Sequence, residues 1–233
     1  MNVVNFAFLT HYGGMATRSS YHHGNLANAL TDAATEQARA GGPDAVVLRA
    51  AARAVGVSAA AAYRHFADHG ELLDSVKRRA LDALAEAMRA SLDRGPRLSD
   101  PAQEAIRRFR ALGSAYLEFA LTDPGLFRTA FSRPGGPVAD LPGRMHAEQG
   151  PYAILSGVLD ELEASGVVEA SRRPGLEIAA WAVVHGLATL LLDGPLAGLD
   201  KAERAAAMAS VAEFAQFGIA GRLTSGGLAT TTG

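Results

Sequence analysis

The 233-residue chain contains no cysteine. That excludes a disulfide scaffold, thiolate catalysis and a thiolate metal site. No run approaches the roughly 20 apolar residues that a membrane-spanning helix needs. No stretch alternates Val, Ile, Thr or Tyr with polar residues as a half-buried strand does. There is no Gly-rich phosphate loop, no G-x-S-x-G elbow and no H-E-x-x-H. Residues 1–14 hold no Lys or Arg, and their apolar run is too short for a secretion signal. These absences point away from an enzyme, a cofactor, a metal centre and a membrane anchor, and toward a cytoplasmic protein.

Hydrophobic residues make up 48% of the chain and charged residues 20%, which suits one or two globular domains with ample core. Alanine is abundant, so the expected fold class is all-α, with about nine helices. The net charge of −2 is unevenly spread. Residues 1–80 hold eight Lys and Arg against six Asp and Glu; the rest hold 14 against 18. A mildly basic head on an acidic body is the implied arrangement.

The most informative stretch is Val47 to Phe66, VLRAAARAVGVSAAAAYRHF. Leu48, Ala52 and Val55 recur at helical spacing. Gly56 stands where a helix C-cap favours positive φ. Ser58 can cap a second helix by accepting from its first amides. Ala62 and Phe66 give that helix its inward face. Two short helices around a tight turn are the pattern of a helix-turn-helix, whose second helix enters the major groove. An ordinary αα-corner is the plainer reading of the same spacing.

The continuation, YRHFADHGELL, and the upstream YHHGNL extend the pattern. Together these strings closely resemble the N-terminal DNA-binding domain of the TetR family of bacterial transcriptional regulators, over about residues 18–80. The resemblance implies that Tyr63 and His65 hold the DNA backbone. Tyr63 packed on the first helix and a merely solvated His65 are the alternatives. Arg64 can pair with guanine or phosphate, and the exposed Ser58, Ala59 and Ala60 can meet base edges. Arg49 adds charge. Two positions depart from the family. His69 stands where a Lys is common, and Val47 stands where a Ser or Thr commonly caps the second helix. Arg18, His22 and His23 can reach a groove from a flexible arm. Two adjacent histidines alone are a weak metal signal.

Further along, helices are expected over about 25–40, 68–93, 101–122, 124–131, 147–165, 174–192 and 200–219. Asp68 and Asp200 are their candidate caps. The Pro- and Gly-rich segment 132–144 reads as a mobile loop. AAWAVVHGLATLL places Trp181 and His185 on one helix face and follows His185 with Gly186. This string resembles the C-terminal domain of a TetR subgroup, and AYLEFALTDPGLFRTAF resembles the same domain's middle. Phe109, Tyr116, Phe119, Phe127, Phe131, Tyr152, Trp181 and His185 are the candidate ligand-binding residues. Trp181, His185, Tyr116 and Phe127 are expected to line one cavity within reach of the fourth helix. A filled core with a hydrogen-bonded histidine is the alternative.

The expected architecture is a three-helix DNA-binding head with a helix-turn-helix, on a helical bundle for ligand binding and dimerisation. Its parts are a disordered extension over 1–17 with Met15 as an ordinary start, a head over 18–67, a body over 68–220 and a disordered tail over 221–233. The resemblance implies a repressor released from a palindromic double-stranded operator by a small molecule. It implies a homodimer, and because the eighth helix is apolar nearly all round from Ile178 to Leu192, more than one core face needs, the eighth and ninth helices are its expected interface. For the ninth, Ala205, Met208, Val211, Ala212, Phe214 and Ala215 are the expected contacts. The competing reading is a helical small-molecule-binding protein or enzyme that retains the head.

Overall fold

The structure, a computed structural model, describes the backbone of residues 19–132 and 150–220, with side chains from Leu26 to Ile219. The described residues form nine α-helices and no strand. They are α1 (Ser19–Gly41), α2 (Leu48–Val55), α3 (Ala59–Ala62), α4 (His69–Leu92), α5 (Pro101–Thr122), α6 (Pro124–Ala130), α7 (Pro151–Ala164), α8 (Leu176–Leu192) and α9 (Lys201–Ala220).

Two apolar cores organise them. The head core joins Leu30, Ala34 and Ala38 of α1 to Leu48 and Ala52 of α2, Ala62, Phe66 and the first half of α4. The body core joins the second half of α4 to α5, α7, α8 and α9. The division falls inside α4: Leu72, Val76 and Ala80 belong to the head, Leu84 and Met88 to the body. One 24-residue helix, about 36 Å long at 1.5 Å per residue, thus runs through both.

Carboxylate caps set several helix starts. Asp68 accepts from the Glu71 amide at 2.9 Å. Asp100 accepts from the Ala102 amide at 2.9 Å. Asp200 accepts from the Ala202 and Glu203 amides, and Glu203 accepts in return from the Asp200 amide at 2.8 Å.

Four boundaries differ from expectation. α1 begins at Ser19 rather than near Asn25, with Gly24 inside it. A single helical glycine costs about 1 kcal/mol against alanine, too little to end a long helix. α3 ends at Ala62, and the chain tightens into i→i+3 bonds at Arg64 and His65. α6 stops at Ala130. α8 starts at Leu176, after a turn at Pro174-Gly175. The extension 1–17, most of the loop 132–144, the start of the helix expected from 147 and the tail 221–233 lie outside the described residues. No helix among the described residues is long and apolar enough to cross a membrane.

Candidate functional sites on the head and in the body

The turn between α2 and α3 has the expected chemistry. Gly56 takes φ 77°, and the Val57 amide donates to the Ala52 carbonyl at 2.9 Å. Ser58 Oγ accepts from the Ala61 amide at 3.1 Å. Val47 offers α2 no side-chain cap, but its own amide donates to Gln37 Oε1 of α1 at 2.7 Å. The missing cap is thus offset by a tether between the helices.

Arg49, Ser58, Ala60, Tyr63, Arg64 and His69 are exposed, and Ala59 and His65 half-buried. Tyr63 is 46% exposed, so its ring is not packed away. Arg49, Arg53 and Arg64 make no ion pair among the described residues, whereas most arginines of the body are paired. Arg53 escaped the sequence reading; its signal is the i, i+4 spacing from Arg49. His69 Nε2 donates to the Val46 carbonyl at 3.0 Å. That bond ties the start of α4 to the segment before α2, and leaves only Nδ1 for any outside group. The side chains of His22 and His23, and all of Arg18, lie outside the described residues.

The body contains a cavity of about 370 Å³ between α4, α5, α7, α8 and α9. Phe109, Tyr116, Phe131, Tyr152 and Trp181 line it, and α4 contributes Leu81 and Met88. Phe119, Phe127 and His185 do not reach its wall. Ala205, Met208, Val211, Ala212 and Ala215 of α9 line the cavity within the protomer, and Phe214 faces away from it. An amphipathic pattern marks a covered face without saying whether a neighbour in the same chain or a partner covers it.

Behind the wall runs a polar ladder. Trp181 Nε1–H donates to the Tyr116 hydroxyl at 3.1 Å. An indole can only donate, which leaves the Tyr116 proton available, and we assign it to His185 Nδ1, 2.8 Å away, because a buried hydroxyl hydrogen needs an acceptor. The neutral imidazole then carries its proton on Nε2. Burial supports this form, holding the His185 pKa below its ordinary 6.5. Burial also pushes the Tyr116 hydroxyl well above its ordinary 10. Phe127 packs edge-on against Tyr116, with ring centroids 5.6 Å apart, and Phe131 stands 4.8 Å from the His185 ring.

α6 connects this cluster to the head. Phe127 lies in the body core, while the adjacent Leu126 is fully buried in the head core. A Cβ on Gly125 would sit 2.3 Å and 2.4 Å from the Ala38 and Arg39 carbonyl oxygens, so the end of α1 rests directly on the α6 backbone. Arg39 of α1 pairs with Asp123, the N-cap of α6. Arg128 of α6 pairs with Asp193, just past α8, at 2.6 Å. No cluster of three or more potential metal ligands occurs among the described residues.

Two family models match the chain. Residues 30–76 match "Bacterial regulatory proteins, tetR family", and residues 109–214 match "Tetracyclin repressor-like, C-terminal domain". Together they cover more than half of the chain. A protein of unknown function from Rhodococcus sp. RHA1 is 28% identical with a TM-score of 0.68, over 88% of this chain and 100% of that one. A tetR family transcription regulator from Shewanella sp. PV-4 shares the fold at 18% identity and TM-score 0.57, over 81% of this chain and 97% of that one. No curated protein matches.

Proposed function

Since the chain belongs to the tetR family of bacterial regulatory proteins, and is a ligand-responsive DNA-binding transcriptional regulator, we propose that it is a cytoplasmic repressor released from a palindromic operator by a small molecule. The observation that carries this reading is the junction at α6, where one seven-residue helix packs into both cores.

The head, over about 18–67, presents α3 to the major groove. Arg64 meets a base edge or phosphate; Tyr63 and His65 hold phosphate, and Arg49 and Arg53 supply charge beside them. Ser58, Ala59 and Ala60 approach the bases, and His22 and His69 flank the contact. Proteins of this family bind DNA and small-molecule effectors and form dimers. Here the effector enters the cavity of the body, 68–220, among Phe109, Tyr116, Phe131, Tyr152 and Trp181. His185 acts behind them by fixing the Tyr116 hydroxyl; Phe127 and Phe119 form the layer that feels any shift of the wall. Movement of Phe127 carries α6, and with it the end of α1 and the core-spanning α4. The effector must bind the arrangement that cannot dock on DNA better than the one that can.

A gel-shift series with DNA upstream of its own gene, at rising salt, tests this. A specific complex that weakens with salt is expected. Arg64→Ala should lower specific affinity by about 1–3 kcal/mol. Tyr63→Phe should weaken all sequences alike, because phosphate contacts carry no sequence information. Absence of any specific complex would remove the proposal, and a changed operator preference in Tyr63→Phe would reverse the two roles.

A further inference from the structure

Among the described residues, the cavity wall carries one charged side chain, Arg110, and no Asp or Glu. Arg110 differs from its neighbours on α5. Arg107 is held by Glu104 and by the Leu92 and Arg94 carbonyls. Arg108 grips Glu161 at 2.6 Å and 3.1 Å. Arg110 has neither an ion pair nor a hydrogen bond among the described residues. Ser114 lies four residues on, on the same helix face and also on the wall, and its hydroxyl likewise has no partner among them. Both residues are exposed, so they stand at the rim of the cavity and not inside it; a guanidinium and a hydroxyl on adjacent turns there form a donor set suited to a carboxylate.

The rest of the wall asks for the opposite. Tyr116 already accepts from Trp181 and donates to His185, so the inner polar groups are satisfied without a ligand. Phe109, Leu117, Met208 and Ala212 offer only apolar surface. We infer that the cavity takes an amphiphilic monoanion, a single carboxylate on an apolar hydrocarbon or aromatic body. The carboxylate meets Arg110 and Ser114, and the body fills the space between α5 and α9. A cationic ligand finds no counter-charge among the described lining residues. This inference rests on the reading of the cavity as the effector site.

Trp181 is the sole tryptophan of the chain and lines the cavity, so its emission reports occupancy directly. The test titrates the full chain with matched pairs, decanoate against decanol and phenylpropionate against phenylpropanol. Each acid should shift the emission at a concentration about fivefold or more below that of its alcohol. Added salt should narrow the gap. Arg110→Gln should bring acid and alcohol together, and Arg110→Lys should keep part of the preference. Equal binding of acid and alcohol to the native chain overturns the anionic class and leaves the cavity as a small-molecule site. No response to any of the four overturns the effector-site reading, and the inference falls with it.

Discussion

Tyr116 is 3% exposed, with its hydroxyl held between Trp181 and His185. The bond to His185 needs an unprotonated Nδ1, so it depends on pH. Burial keeps the folded-state pKa of His185 below 6.5, its ordinary value. Between those two values the unfolded chain binds a proton that the folded chain refuses. The stabilising contribution is therefore complete above pH 6.5 and lost as pH falls through the folded value. We expect the melting temperature of the native chain to fall more steeply than that of His185→Gln between about pH 7.5 and about pH 5. Calorimetric scans of the two proteins in the same buffers decide it; parallel curves would show that His185 does not titrate in this way. The same residue marks how far the site was legible. The four-residue spacing of Trp181 and His185 correctly put both on one side of α8. It did not reveal that Trp181 forms the wall while His185 stands behind Tyr116. They sit about 6 Å apart along the helix axis, and which end faces empty space depends on how α4, α5, α7 and α9 pack around α8, which spacing within α8 does not give. Arg110 went unnoticed for a related reason: beside Arg107 and Arg108 it looks like one more solvated charge, and only the pairing of the other two sets it apart.

Among the helices, α6 is the shortest that belongs to both cores. Its neighbours approach so closely at Gly125 because no side chain intervenes. The three nearest atoms that a Cβ would meet there all belong to the backbone of Ala38 and Arg39, which cannot move aside as a flexible side chain can. Gly125→Ala should thus push the end of α1 away from α6 and cost about 1–3 kcal/mol. If α6 links cavity to head, the variant should also change operator affinity at temperatures where it remains fully folded. Thermal melts and gel shifts on the same preparation check both; a drop in stability with unchanged affinity would make α6 a structural prop. Such a joint cannot be read from periodicity, because seven residues show no face long enough to divide between two cores. Longer helices were legible. α5 matches its expected limits, and α4 and α9 lie within a residue or two of theirs, since Asp68 and Asp200 cap where expected and Asp100, which the sequence reading did not single out, caps α5. The ends that differ are the start of α1, the early tightening after α3, the end of α6 and the start of α8.

For the molecule as a whole, the outer surface of α8 and α9 asks for a partner. Ile178, Ala182, Gly186 and Leu190 follow one another at four-residue intervals and are all exposed on α8. Ile178 and Leu190 are large, and a Cβ on Gly186 would meet nothing within 4 Å, so a second helix can approach that row closely. On α9, Phe214 and Phe217 are 68% and 69% exposed, while Met208, Val211 and Ala212 turn to the cavity. Contiguous apolar surface of this kind marks an interaction site, and a two-fold pairing of identical patches is the commonest way to cover it. We expect Phe214→Glu combined with Phe217→Glu to convert the dimer to a monomer at micromolar concentration, as read by light scattering. Both side chains face water in the single protomer, so helix content by circular dichroism should stay unchanged. Loss of the dimer uncouples the two heads, each of which then holds half an operator. Operator affinity should fall by on the order of 100-fold, while ligand binding, read from Trp181 emission, persists. Phe214→Leu with Phe217→Leu should remain dimeric. A native chain that is already monomeric, or a doubly charged variant that still pairs, would move the interface away from α8 and α9.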